Sequence, residues 1–238
     1  MKKFLKIITL TFGFFLLAVL GYYLIIIIKA RVETPRIIGQ ALRAENMVLK
    51  VSDLSEWQLN ALLKIEDPAF YRHKGVDLRT PGAGLTTITQ GLVKMYYFER
   101  FEAGLAKIKQ TLIARFALDP LVAKDLQLQL FINNVYLGDV NGEPVYGFDK
   151  AARVYYGKPV NQLSQKEYLS IVAMINSPQG FHILKRPAAN AERTERLMKV
   201  VSGEYRPKHL MDLYYGKLDR ETQKYLAPAS YFPKLYED

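Results

Sequence analysis

The run Ser55–Asp77, SEWQLNALLKIEDPAFYRHKGVD, sets the character of the chain. Ser55 with Gln58 forms a capping box, and Leu59, Leu62 and Leu63 follow at helical spacing, so a helix runs toward Asp67-Pro68. Glu66 lies three and four residues after Leu63 and Leu62 and shares a helical face with apolar groups. A carboxyl held against an apolar wall has its ionised form disfavoured, and the raised pKa suits general acid–base work. The turn at Gly75 makes the run read as a helix ending at a cleft. Taken alone, Glu66 and Asp67 read more readily as surface acids at a helix end, where acids are common.

Downstream, helix signals follow closely. A loop rich in Gly and Pro (Gly75, Pro81, Gly82, Gly84) leads to a helix over about 86–97. A second covers about 103–118, where Leu105, Ile108, Leu112 and Phe116 form an apolar stripe. Pro120 fits the first turn of a helix reaching about residue 137, with Gly138 at its end. Ser164 and Glu167 cap a helix carrying Leu169, Val172 and Ala173, and Pro187 opens another that Gly203 closes. No stretch shows sustained strand alternation. The fold class is mostly α, with at most a short hairpin.

Upstream, Ile7 to Ile28 is a run of 22 uncharged residues. At ~1.5 Å rise each they span the roughly 30 Å hydrocarbon core of a bilayer. Tyr22 and Tyr23 have the amphipathic rings of a membrane interface. A cleavable signal peptide fits less well, because the run is long and no A-x-A site follows it. The chain therefore divides into an anchor (1–31), a connector containing Pro35 (32–50), a body (51–203) and a tail (204–238) rich in Tyr, Lys and Pro with no assignable role. Lys2, Lys3 and Lys6 favour an N-terminus inside and a body outside.

The 238 residues carry a net charge of +10. Residues 1–31 contribute five cations and no acid, which leaves +5 for the remainder. With the body at an outer membrane surface, this charge fits a phosphorylated or lipid-linked substrate rather than nucleic acid. There are no cysteines, which excludes a disulfide framework. His73, His182 and His209 lack ligand spacing, so no protein-built zinc site is expected.

Six blocks then occur in order. Glu66 to Asp77 reads E-D-x-x-F-x-x-H-x-G-x-D. Gly84 to Lys94 reads GLTTITQGLVK, Lys107 to Gln110 reads KIKQ, and Lys124 to Asn133 reads KDLQLQLFIN, with a turn at Tyr136–Gly138. Tyr146 to Lys158 reads YGFDKAARVYYGK, and Leu163 to Pro178 completes the set. Together, over about Trp57 to Val200, they resemble glycosyltransferase family 51, the peptidoglycan polymerases. The family's corresponding elements are G-G-S-T-I-T-Q-Q-L-V-K, R-K-x-x-E, K-x-x-I-L-E-x-Y-L-N and Y-G-x-x-x-A-A-x-x-Y-F-G-K.

The resemblance implies a lysozyme-like helical body with a smaller membrane-facing lobe, preceded by one transmembrane helix. It implies Glu66 as the base that deprotonates the acceptor 4-hydroxyl, with Asp67 as a neighbouring polar partner. Gln110 occupies the place of the family's second catalytic glutamate. Asp67, His73, Thr86, Thr87, Gln90, Lys94, Lys107 and Asn133 are the implied substrate contacts. Mg²⁺ or Mn²⁺ accompanies the substrate pyrophosphate in some members, and no organic cofactor is expected. The implied partners are lipid II, the growing glycan strand, the membrane and cell-wall synthesis proteins. The implied location is the bacterial inner membrane, with the body on the periplasmic or outer side. Spacing agrees in part: Thr86, Gln90 and Lys94 stand at i, i+4 and i+8, opposite Ile88 and Leu92. Lys94 and Lys107 converging on one cleft would offset the charge of a diphosphate.

The chain also departs from the family. Gln110 replaces a glutamate, Ala106 an arginine and Gln129 a second glutamate, while Leu85 and Gly91 alter the G-G-S-T-I-T-Q-Q element. A glutamine hydrogen-bonds but carries no charge. Two readings stand: a divergent polymerase using Glu66, and a silent homologue that binds lipid-linked glycan or a synthase partner. A lytic enzyme also needs an acid, but has no use for phosphate-binding cations. With the chain ending at Asp238, glycan synthesis without peptide cross-linking is expected. The cluster Tyr96, Tyr97, Phe98 and Phe101, interleaved with Lys94 and Arg100, reads either as a surface dipping into headgroups or as core.

Overall fold

The computed structural model describes residues 2–102 and 104–213; the tail reading over 214–238 lies outside these described residues. Helix α1 (Lys2–Leu42) continues through the segment expected to be a connector. Pro35 does not end it, because tertiary bonds hold the turn before the proline and buried Ile37, Ile38 and Ala41 hold the turns after it. The Thr34 hydroxyl donates to Ala30 O at 2.6 Å and pairs with the Tyr97 hydroxyl at 2.7 Å, while Arg31 donates to Phe116 O. Ile26, Ala30, Thr34, Ile37, Ile38 and Ala41 form one buried face of this half. The preceding half is exposed on every side, and among the described residues α1 alone is long and apolar enough to cross a membrane.

Beyond Leu42 the chain clips onto the body. Asn133 exchanges side-chain hydrogen bonds with both backbone groups of Leu49, at 2.9 and 2.8 Å. Helix α2 (Glu56–Glu66) starts at the expected Ser55–Gln58 box and buries Gln58, Ala61, Leu62 and Ile65. It packs against α8 (Gln165–Ile175) and α9 (Pro187–Ser202), whose Ser164–Glu167 box and left-handed Gly203 cap are also as the sequence signals predict. Helix α3 (Ile88–Tyr96) packs on α4 (Leu105–Ile113) and on α6 (Lys124–Asn134). A π-helical turn (Ala114–Leu118) and a short turn α5 (Asp119–Leu121) follow α4.

Several local expectations are corrected. The helix expected over 120–137 breaks at Val122, which is extended, and α6 ends at Asn134. Gly138 is not its cap; it lies in strand β1 (Tyr136–Val140), which pairs antiparallel with β2 (Glu143–Tyr146). The turn is Asn141-Gly142, both with positive φ (54° and 85°), the strongest short hairpin signal in the chain. Helix α7 (Phe148–Tyr156) leads from the hairpin to α8.

The apolar stripe on α4 is mostly not core. Leu105 is 77%, Ile108 45% and Phe116 46% exposed. Conversely, Tyr96 and Tyr97 are fully buried, so the aromatic cluster divides, with its tyrosines in the core. The outward apolar surface of the smaller lobe is carried by α4 and the π turn beside the membrane helix.

Candidate active site

Glu66 is the last residue of α2. It faces a small cavity of ≈ 10 Å³ walled by Ile65, Gly82, Ala83, Thr86, Arg193 and Leu213, among others. Burial raises its pKa to about 7, against the pull of nearby Arg193 and with a smaller push from Asp67. That value lies where a general base accepts a proton readily at neutral pH.

Asp67, adjacent in sequence, has the opposite surroundings. It is fully buried, and its carboxylate accepts from His73 Nε2 at 2.9 Å and from the Ile88 N–H at 3.0 Å. Asp67 thus ties the end of α2 to the start of α3. Thr87 completes the junction: its hydroxyl accepts from Gln90 N–H (3.1 Å) and donates to Gly75 O (2.8 Å). Gly75 is required there, since it has φ +83° and a Cβ would lie 2.5 Å from Ala114 O in the π turn.

The cationic side is built from Lys94 on α3 and Lys107 on α4. Lys107 Nζ donates to Thr86 Oγ1 at 2.9 Å. Burial, then the nearby charge of Lys94, lowers the Lys107 pKa to about 8, and burial lowers that of Lys94. Two half-buried ammonium groups that discourage each other's protonation favour a bound anion. Lys94 also lies over the Phe101 ring, 5.1 Å from its centre. Thr86 both lines the Glu66 cavity and accepts the Lys107 hydrogen bond, so one residue touches both the acid's cavity and a cation.

The structure joins Glu66 to Lys107 through Thr86, sets Lys94 near Lys107, and pairs His73 with Asp67, the neighbour of Glu66. Other sequence candidates point elsewhere. Thr86 precedes the helix, so it does not share a helical face with Gln90 and Lys94. Thr87 and Gln90 are buried and engaged in capping, and Gln90 Nε2 also donates to Thr111 at 3.0 Å. Gln110 is 1% exposed; its Nε2 donates to Gln90 O at 2.7 Å, while its Oε1 has no partner. Asn133 is buried in the clip to Leu49.

Sequence reasoning missed Arg193. It lies on the buried face of α9 with Asn190, Thr194, Leu197 and Val200, and its Nε donates to Ala173 O at 3.1 Å. A lone arginine at core spacing within α9 was the available signal. Leu213 was missed because it stands far along the chain, in a segment without periodicity. Among the described residues no three His, Cys, Asp or Glu side chains cluster to hold a metal ion.

A family model described as Transglycosylase matches residues 35–202. Penicillin-binding protein 1A of Pseudomonas aeruginosa is 28% identical over 190 residues, covering 73% of this chain and 22% of that protein. Penicillin-binding protein 1B of Buchnera aphidicola is 28% identical over 191 residues, 75% of this chain and 25% of that protein. Penicillin-binding protein 1A of Neisseria gonorrhoeae is 29% identical over 165 residues, 64% of this chain and 20% of that protein. The chain spans only a quarter or less of the length of these relatives.

Proposed function

Because the chain belongs to the transglycosylase family, we propose that it polymerises lipid II, or a related polyprenyl-diphosphate-linked glycan, at the outer face of the bacterial inner membrane. The observation that carries this reading is Thr86, which joins the cavity of Glu66 to the ammonium of Lys107. Glu66 takes the proton of the acceptor 4-hydroxyl, and that oxygen forms a bond to the donor's anomeric carbon. The bond from this carbon to the diphosphate oxygen breaks, and the lipid diphosphate leaves as an anion beside Lys94 and Lys107. The proton ends on Glu66. Fixed cations at developing negative charge are a principal source of rate in such transfers.

Asp67 cannot readily ligate a metal, since its carboxylate is engaged by His73 and the Ile88 N–H. The described residues do not fit a protein-held divalent ion. Mg²⁺ or Mn²⁺ would enter only as the substrate's own counter-ion.

A second reading, a silent homologue that binds lipid-linked glycan or a synthase partner, draws on Gln110. Its amide is committed to the backbone of α3 rather than to the cleft. The test is polymerisation of labelled lipid II by the full chain, its products resolved on a gel, with Glu66→Gln, Lys107→Ala and Gln110→Glu alongside. Ladders from the wild type, lost in Glu66→Gln and reduced about 10²-fold in Lys107→Ala, are the expected result. Lipid II binding without ladders from the wild type, and ladders only from Gln110→Glu, would establish the second reading instead.

A further inference from the structure

We propose that residues 207–213 form a strap seated in the acceptor side of the Glu66 cleft, and that this strap must leave before a sugar can reach the base. The proposal rests on the polymerase reading above for the identity of the sugar, while the strap's seat rests on geometry alone.

The strap lies beyond the part of the chain that the family model matches, which ends at residue 202. After Gly203 the chain turns back, with Tyr205 N–H donating to Lys199 O at 2.9 Å. It then crosses the loop before α3. Gly82 N–H donates to His209 O at 3.0 Å, and Gly84 N–H donates to Leu210 O at 2.9 Å. Pro207 lies against Gly82 so closely that a Cβ there would come within 2.9 Å of its Cγ. At the far end Leu213 enters the wall of the Glu66 cavity, and its carbonyl accepts from Arg193 Nη1 at 3.0 Å.

The seat is occupied but lightly held. The space left beside Glu66 is ≈ 10 Å³, room for about one water and far too little for a sugar ring. Of the walls around it, Ile65, Ala83 and Arg193 belong to the buried body, whereas the strap is exposed or half-buried along its length. Behind the strap, against α9, lies a further cavity of ≈ 300 Å³ lined by Arg196, Lys199, Val200 and Tyr205, among others. A segment with open space behind it and few buried contacts is the part of the wall able to move. Asp212 keeps it folded: its Oδ2 accepts from the Tyr205 hydroxyl and from Lys208 N–H, each at 2.6 Å.

Hydrogen exchange on the full chain in nanodiscs reads the seat directly through the amides of Gly82 and Gly84. Both are expected to be protected in the free protein, and to exchange at least tenfold faster in Asp212→Ala and Leu213→Ser and on saturation with lipid II. Thermal denaturation of both variants checks that the body stays folded. If the strap is seated about 90% of the time, releasing it raises the apparent affinity for lipid II about tenfold. Unprotected Gly82 and Gly84 amides in the free protein would overturn the proposal. So would amides that stay protected with lipid II bound, or an unchanged affinity in variants whose amides have been released. The glycan ladders judge the polymerase reading separately. Protection and affinity behaving as expected without product from any variant would reject that reading and leave the strap in place.

Discussion

At pH 7 the carboxyl of Glu66 stands near the middle of its titration, because burial opposes its charge more strongly than Arg193 favours it. The sign of the consequence is fixed. With a folded-state pKa near 7 against an ordinary 4.5, the folded protein holds a proton that the unfolded chain has released between those values. Raising the pH through that window therefore weakens the fold, by about 1–3 kcal/mol once complete. Glu66→Gln should match the wild type in urea midpoint at pH 4 and exceed it at pH 8; a variant weaker at pH 8 would mean the carboxyl is not desolvated. Polymerisation should rise with pH along a limb centred near 7. The same scale shows how two neighbours can differ. Glu66 and Asp67 were both legible as acids at a helix end, but which one is the base follows from the partners that Asp67 gains in the fold.

At the scale of the element, capping chemistry was readable and side-chain direction was not. The boxes at Ser55 and Ser164 stand as their sequences indicate, because each is closed within four residues. The box at Thr87 and Gln90 was hidden, since Gln90 reads at helical spacing with Thr86 and Lys94 as part of one polar face. Thr87→Ala removes the cap and leaves Gly75 O without its donor, a loss of about 1–3 kcal/mol. Thr87→Ser should restore most of it. Chemical denaturation of the detergent-solubilised chain checks both, and an Ala variant as stable as the wild type would deny the cap its role. Asn141-Gly142 was present in the sequence, yet the apolar run before it read as a continuing helix. Strand and helix share apolar composition over so short a span.

For the whole molecule, the outward stripe of Leu105, Ile108 and Phe116 lies on α4 and the π turn, which pack against α1. Left in water these side chains forgo about 1–2 kcal/mol each. In a bilayer they complete a surface continuous with the anchor. Because the chain has no cysteine, Leu105→Cys carries a polarity-sensitive dye at a unique position. Its emission should shift to the blue in nanodiscs and be quenched by brominated lipids; a spectrum like that of the dye in water would remove the lobe from the membrane.

The sequence by itself determined the long apolar N-terminal helix, the mostly α class and the capped starts of α2 and α8. Each of these rests on periodicity or capping within a few neighbouring residues. Only the tertiary structure decided which sides face the cleft: that Thr87, Gln90, Gln110 and Asn133 turn inward, that Arg193 and Leu213 reach Glu66, and that the α4 stripe turns outward. Periodicity fixes a side chain's direction relative to its own helix axis. Which face meets core, cleft or lipid depends on what packs against that helix, and a core and a bilayer select the same apolar residues.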